Sequence, residues 1–142
     1  MNFKEKLKKA SEDAGISMND LKLDQFEEFY HLLIEKNKVM NLTAITDEEE
    51  VIEKHFIDSL TCRRVMDMGS VKSLIDIGTG AGFPGIPLKI IYPEISVVLL
   101  DSLNKRVKFL NEVIDELGLS RVEAVHGRAE DLARKQEKVL RK

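Results

Sequence analysis

The sequence predicts an α/β protein in which a partial parallel sheet follows an N-terminal helical region. Three observations predict it. Residues 1–60 place apolar side chains at helical spacing only, and from about Ser73 short buried-type strands alternate with helices. Strand, helix, strand, helix, strand in that order implies parallel strands joined by right-handed crossovers. Polar and glycine residues also gather where those strands end, which is where open parallel sheets bind ligands. These features divide the chain into a helical region, 1–60, and a partial sheet region, 61–142.

A first helix is expected from about Asn2 to Ala14, stopped by Gly15. A second is expected over Leu21–Met40, where Phe26, Phe29, Tyr30, Leu33, Asn37 and Met40 recur at three- and four-residue steps. That stripe reads as core, with Asn37 its polar exception. Thr46 followed by Glu49 forms a capping-box pattern for a third helix, and Asp47-Glu48-Glu49-Glu50 suits the positive end of the helix dipole. Ser73–Ile77 reads as a buried strand. Pro84 and Pro87 stand where a helix begins, since a first-turn N–H has no partner to lose. Ile95–Leu100 is a second strand ending in Asp101, and Ser102 is placed to cap a helix that stops at Gly118. Arg121–His126 is a third strand, and a charged helix opens at about Ala129.

Composition narrows the class without naming it. With 142 residues, 43% hydrophobic and 33% charged, the chain suits one globular domain with a real core and excludes a disordered tract. Its apolar runs are too short to span a membrane. The segment Met1–Lys6 lacks the apolar stretch of a secretion signal, so none is expected. Cys62 is the only cysteine, so no internal disulfide is possible, which suits a reducing cytoplasm. His31, His55 and His126 lack metal-ligand spacing, and no metal site is expected. Net charge is −3, whereas proteins that coat nucleic acid by bulk charge are clearly basic. Any RNA contact must therefore come from local patches such as Lys4-Lys6-Lys8-Lys9, Arg63-Arg64 or Lys105-Arg106-Lys108. Each patch reads first as a solvated helix face.

The chemistry lies at the strand ends. The loop Asp76-Ile77-Gly78-Thr79-Gly80-Ala81-Gly82 lets the main chain approach a ligand closely. Asp101, ending the next strand, can accept hydrogen bonds from both hydroxyls of a ribose. Glu130 or Asp131, after the third strand, can accept from an adenine amino group. Together these residues describe an adenosine pocket. Gly80-Ala81-Gly82-Phe83-Pro84-Gly85 also matches the dinucleotide pattern G-x-G-x-x-G, which alone is a weak signal. Asp76 favours a cationic ligand, such as the ammonium and sulfonium of S-adenosylmethionine, over a pyrophosphate. A phosphate-binding P-loop fails, because Gly85 is followed by Ile86-Pro87 and no Lys-Ser/Thr. An NAD-type oxidoreductase, a non-catalytic adenosyl-binding module and a tight turn that binds nothing remain open alternatives.

The longer run from Asp76 to Pro87 is more specific than its glycines. It resembles the first motif of the RsmG family, also called glucose-inhibited division protein B. Asn41-Leu42-Thr43, His55-Phe56-Ile57-Asp58-Ser59-Leu60, Asp101-Ser102-Leu103-Asn104-Lys105-Arg106 and Gly127-Arg128-Ala129-Glu130 resemble further family segments in the same order. The resemblance implies a Rossmann-like class I methyltransferase fold and S-adenosylmethionine as cofactor. It implies methylation of guanine N7 in 16S ribosomal RNA of the small ribosomal subunit, in the cytoplasm. By the same resemblance, Asp76, Gly78, Gly80, Gly82 and Phe83 line the methionine end, and Asp101 with Ser102 holds the ribose. Ala129 and Glu130 face the adenine, and Asn41, His55, Asp58 and Ser59 border the cofactor mouth and the guanine. Lys105 and Arg106 serve either their own helix or the RNA.

The chemistry needs no general base, because guanine N7 presents a lone pair at neutral pH. Family members continue beyond the last residue here into a further strand beside the first. The expectation is therefore a cofactor-binding part that does not methylate RNA alone. With strand order 3-2-1, Leu74-Ile75-Asp76-Ile77 is expected to lie at an exposed edge and to favour self-association, unless the terminal helix folds across it.

Overall fold

The computed structural model of the chain describes residues 1–61 and 67–131. Cys62, the Arg63-Arg64 patch and the terminal helix beyond Asp131 lie outside the described residues.

Helix α1 (Phe3–Asp13) starts where Asn2 accepts a hydrogen bond from the Glu5 N–H at 2.9 Å. It buries Phe3, Leu7 and Ser11, one face at four-residue steps, and Gly15 turns the chain with φ 74°. Helix α2 (Asp20–Asn37) is capped in the same way by Asn19 and buries Leu23, Phe26, Phe29 and Leu33. It ends short of the expected Met40. The Asn37 side chain accepts from the N–H groups of Leu42 (2.8 Å) and Thr43 (3.0 Å), folding the following segment back on the helix end.

The third helix departs from its expected start. Asp47 is the cap, accepting from the Glu50 N–H at 3.3 Å, while the Thr46 carbonyl accepts from the Tyr30 hydroxyl. The helix then changes winding. α3 (Glu48–Glu50) passes without a break into a π-helical segment, Val51–Ile57, and closes as α4 (Asp58–Leu60). Such wide turns are rare and often coincide with functional positions.

Strands β1 (Ser73–Ile77), β2 (Ser96–Asp101) and β3 (Val122–His126) form a parallel sheet in the order β1-β2-β3. Asp76 pairs with Leu99 and Asp101 with His126, so the acidic strand ends lie along one rim. Helices α5 (Gly85–Ile91) and α6 (Asn104–Leu117) make the crossovers and pack on the sheet, with α2 packed against both. Leu74, Val97 and Leu99 pack into the core; Ile75 and Ile77, on the other face, are 40% and 57% exposed. Among the described residues β1 pairs only with β2. α6 ends as expected at Gly118, where the N–H of Leu119 reaches the carbonyl of Ile114 across a left-handed residue. Its start differs from expectation. Ser102 does not cap it; instead Asp101 accepts from the Leu103 N–H at 2.9 Å.

One hydrophobic cluster runs from Phe3 to Leu117 through helices and sheet. At its centre Phe56 is fully buried among Phe3, Phe26, Phe29 and Phe83. Truncating such a ring costs about 3–5 kcal/mol. Phe83 belongs to the loop after β1, so the N-terminal helices and the strand-end loop share packing.

Candidate functional site

The glycine loop is held almost entirely by its own protein contacts. The N–H groups of Gly78 and Thr79 donate to the Leu100 carbonyl, which fixes the exit of β1 against β2. The N–H of Gly80 donates to Asp101 Oδ2 at 2.9 Å, and those of Gly82 and Phe83 donate to the Thr79 carbonyl. Gly80 has φ 62°, a region that costs other residues about 1–2 kcal/mol, and a Cβ there would meet nothing within 4 Å. A Cβ on Gly78 would likewise meet nothing within 4 Å. The space beside both glycines is therefore open on the side a side chain would occupy. Gly85 is glycine for a different reason: a Cβ there would overlap Leu99 and lie 2.9 Å from Asp76 Oδ2.

Asp76 ties the loop to the helix after it. Its Oδ2 accepts from the Thr79 hydroxyl at 2.6 Å and from the Gly85 N–H at 2.9 Å. Oδ1 has no hydrogen bond among the described residues and is not fully buried. Burial pushes the Asp76 carboxyl above its usual range, and the Thr79 and Gly85 bonds pull it back. Asp101 is 2% exposed, with Oδ2 on Gly80, Oδ1 on Leu103, and the Arg106 guanidinium 3.6 Å from Oδ1. A carboxylate has about four lone-pair positions, of which backbone N–H groups take two on Asp101.

Other expected site residues fall in two places. Ser102 is exposed at the end of β2, and its carbonyl accepts from the His126 ring at 3.0 Å. Ala129 and Glu130 are exposed at the start of the helix that opens at Ala129 as expected, and the Gly127 N–H just before it donates to the Asp101 carbonyl at 3.0 Å. Asp131 accepts from the Arg128 N–H in its own turn. The rim of the three strands thus carries Asp76, Gly78, Gly80, Asp101, Ser102, Ala129 and Glu130.

Across Phe83 lies a second group. His55, Asp58, Ser59, Phe83 and Pro84 line a cleft of about 360 Å³. The His55 ring stacks on Phe83 with centroids 4.5 Å apart and planes at 11°. Its Nε2 lies 2.8 Å from the Thr43 hydroxyl. Burial pushes the His55 imidazole below its usual range, against a weaker opposite pull from Asp58. Ser59 is buried, and its hydroxyl donates to the His55 carbonyl within the helix. Asn41 is exposed and does not line the cleft.

Several contacts in this arrangement escaped sequence reasoning. Thr79 is 3% exposed and bonded to Asp76; Arg106 stands beside Asp101. Thr43 holds His55, and Asn37 holds the Thr43 segment. Thr43, Thr79 and Arg106 stand in the motifs quoted from the sequence, but no local pattern gives these partners; Asn37 stands out as the polar break in an apolar stripe. The basic patches serve internal ion pairs in part, with Lys4 at 2.6 Å from Asp24 and Lys6 at 3.0 Å from Glu48. No group of metal-binding side chains occurs among the described residues, and no helix among them is long and apolar enough to cross a membrane.

The family model described as "GidB: rRNA small subunit methyltransferase G" matches residues 22–140. The chain belongs to this family. "Ribosomal RNA small subunit methyltransferase G" of Lachnoclostridium phytofermentans is 59% identical over 121 residues, 85% of this chain and 50% of that protein. The protein of the same description from Desulforamulus reducens is 53% identical over 92% of this chain and 55% of its own length. That from Clostridium perfringens strain 13 is 47% identical over 96% and 57%. The chain spans about half the length of the curated relatives it matches. Among solved structures, the N-terminal domain of human METTL16 in complex with SAH aligns over 80% of this chain and 46% of that one. Its TM-score of 0.43 and identity of 16% are too low to inform fold or function. Family membership agrees with the motif order in the sequence.

Proposed function

We propose that this chain is the S-adenosylmethionine-binding part of a methyltransferase that forms 7-methylguanosine in 16S ribosomal RNA. The observation that carries the cofactor assignment is the placement of Asp76. A pyrophosphate in a dinucleotide fold sits on free N–H groups at a helix start. Here the first helical N–H, that of Gly85, is taken by the Asp76 carboxylate, so the anion seat already holds an anion. Oδ1 of the same carboxylate, without a hydrogen bond among the described residues, suits a cation, and the open side of Gly78 and Gly80 leaves room for one. This weighs against the NAD-type reading.

The bound cofactor supplies an electrophilic methyl group on a sulfonium. Gly78, Gly80, Gly82 and Phe83 border its methionine end, with Asp76 facing the cationic groups. Asp101 offers its carboxylate to the ribose hydroxyls, beside Ser102, and Ala129 with Glu130 borders the adenine. The helical region, 1–60, contributes the guanine side through His55, Asp58 and Ser59, with Asn41 exposed outside the cleft they line. The sheet region, 61–142, contributes the cofactor side.

No group needs to remove a proton from guanine N7. The residues act by holding N7 in line with the methyl group, at about 3–3.5 Å, and by excluding water. Backbone and side-chain dipoles around the site help stabilise charge as it shifts from sulfur to the base. The partner is the small ribosomal subunit or its RNA, in the cytoplasm. We also infer that the exposed β1 edge favours self-association of the chain. Calorimetric titration with S-adenosylhomocysteine and with NAD tests the assignment: tighter binding of S-adenosylhomocysteine supports it, and tighter binding of NAD sinks it.

A further inference from the structure

The Thr43 hydroxyl holds one nitrogen of the His55 ring, Nε2. The Thr43 hydroxyl oxygen accepts from the Ile45 N–H at 3.0 Å and lies 2.8 Å from His55 Nε2. A hydroxyl has one proton to donate. With Ile45 already donating to the oxygen, the acceptor within reach of that proton is Nε2. The opposite arrangement, with Nε2–H donating to Thr43, would leave the hydroxyl proton without an acceptor among the described residues. The tautomer of a neutral imidazole is set by the bond its other nitrogen makes. With Nε2 accepting from Thr43, the proton of a neutral His55 ring sits on Nδ1, which has no hydrogen-bond partner among the described residues.

The setting keeps this arrangement rigid. Asn37 clamps the backbone of Leu42 and Thr43, the ring stacks flat on Phe83, and the π-helical winding carries His55. The charged side chains lining the cleft are Lys54 and Asp58; Phe83 and Pro84, opposite, bring no charge. Burial favours the neutral ring.

We propose that Thr43 is a positioning residue that fixes His55 with its proton on Nδ1, so that the cleft beside Phe83 presents a hydrogen-bond donor to the substrate base. This rests on the cleft being the guanine side of the site. A donor at that place selects for an oxo group on the base, as guanine has at O6, and against an exocyclic amine, as adenine has at N6. Thr43 thereby becomes a specificity determinant for keto over amino purines.

The test uses the 15N-labelled chain. Imidazole nitrogen spectra, with His55→Gln to assign the signals, report the tautomer directly. The expected result is a neutral His55 ring protonated on Nδ1 in the unmodified chain. Thr43→Val should shift the proton toward Nε2, and Thr43→Ser should restore Nδ1. Guanosine monophosphate should then perturb the His55 and Phe83 signals at roughly three- to tenfold lower concentration than adenosine monophosphate, the scale of one hydrogen bond. Thr43→Val should abolish that difference. A ring protonated on Nε2 in the unmodified chain overturns the proposal even if the Val variant fails to fold. Equal response to the two nucleotides, or none, overturns the specificity role. Because S-adenosylhomocysteine binding is scored at the glycine loop, a failure here with that binding intact refutes this inference and leaves the cofactor assignment standing.

Discussion

The N–H of Gly80 donates to the carboxylate of Asp101 at 2.9 Å, so the loop leaving β1 is tied to the end of β2. The same carboxylate takes the N–H of Leu103, at the start of α6. Asp101 therefore organises the rim before any ligand arrives. Asp101→Ala should destabilise the fold by about 1.5–3 kcal/mol, the scale for a hydrogen bond to a charged group, and should weaken S-adenosylhomocysteine binding as well. Denaturant midpoints and calorimetry measure the two effects. Unchanged values for both would remove Asp101 from loop and site alike.

Two glycines should behave differently. At Gly85 an added methyl overlaps Leu99 and crowds Asp76, so Gly85→Ala should cost about 1–3 kcal/mol as overpacking. At Gly80 a methyl meets open space, and only its positive φ is strained, at about 1–2 kcal/mol. Gly80→Ala should therefore stay folded and lose cofactor affinity, because the methyl enters the space the ligand takes. Thermal melts separate the two. An unfolded Gly80→Ala, or a Gly85→Ala as stable as the unmodified chain, would contradict the geometry.

His55 and Asp76 give acid stability opposite signs. Burial holds the folded His55 ring below its unfolded value of 6.5, so below that pH the unfolded chain binds the extra proton. The contribution of His55 is present above pH 6.5 and is lost as pH falls toward the folded pKa. Asp76 is raised above 3.8, so the folded chain binds the extra proton there and stability falls as pH rises through that window. Denaturant midpoints from about pH 8 to about pH 5 should fall in the unmodified chain and fall less in His55→Gln. Identical slopes would show that His55 is not held neutral.

The β1 edge gives a prediction about association. Ile75 and Ile77 are 40% and 57% exposed on a strand whose only sheet neighbour among the described residues is β2. Light scattering should show concentration-dependent self-association, and Ile75→Lys should reduce it, since a charge on an edge strand opposes edge pairing. A chain that scatters as a monomer at every concentration would reject the self-association.

What was legible in the sequence was what local patterning controls. The strand–helix alternation, the strand-end acids Asp76 and Asp101, and the left-handed stop at Gly118 follow from periodicity and residue type. The caps were harder: Asp47 takes the place Thr46 offers, and α6 starts with no side-chain cap at all, because Asp101 holds the Leu103 N–H just before it and Ser102 stays exposed. The widening of the helix at Val51–Ile57 left no readable mark. Nor did the Thr43–His55 bond, which joins a loop to a helix and depends on Asn37 ending α2 where it does. Phe83 read as a neighbour of the glycines; its packing against Phe29 and Phe56 is a long-range fact that no local pattern encodes.

The rim of Asp76, the glycine loop and Asp101 is proposed to bind S-adenosylmethionine. Amide-resolved NMR titration of the chain with S-adenosylhomocysteine tests it most directly. Saturable shifts are expected at Gly78, Gly80, Gly82, Asp101, Ala129 and Glu130, with NAD failing to reproduce them. No shifts at those amides, or the same shifts induced by NAD at lower concentration, would contradict it.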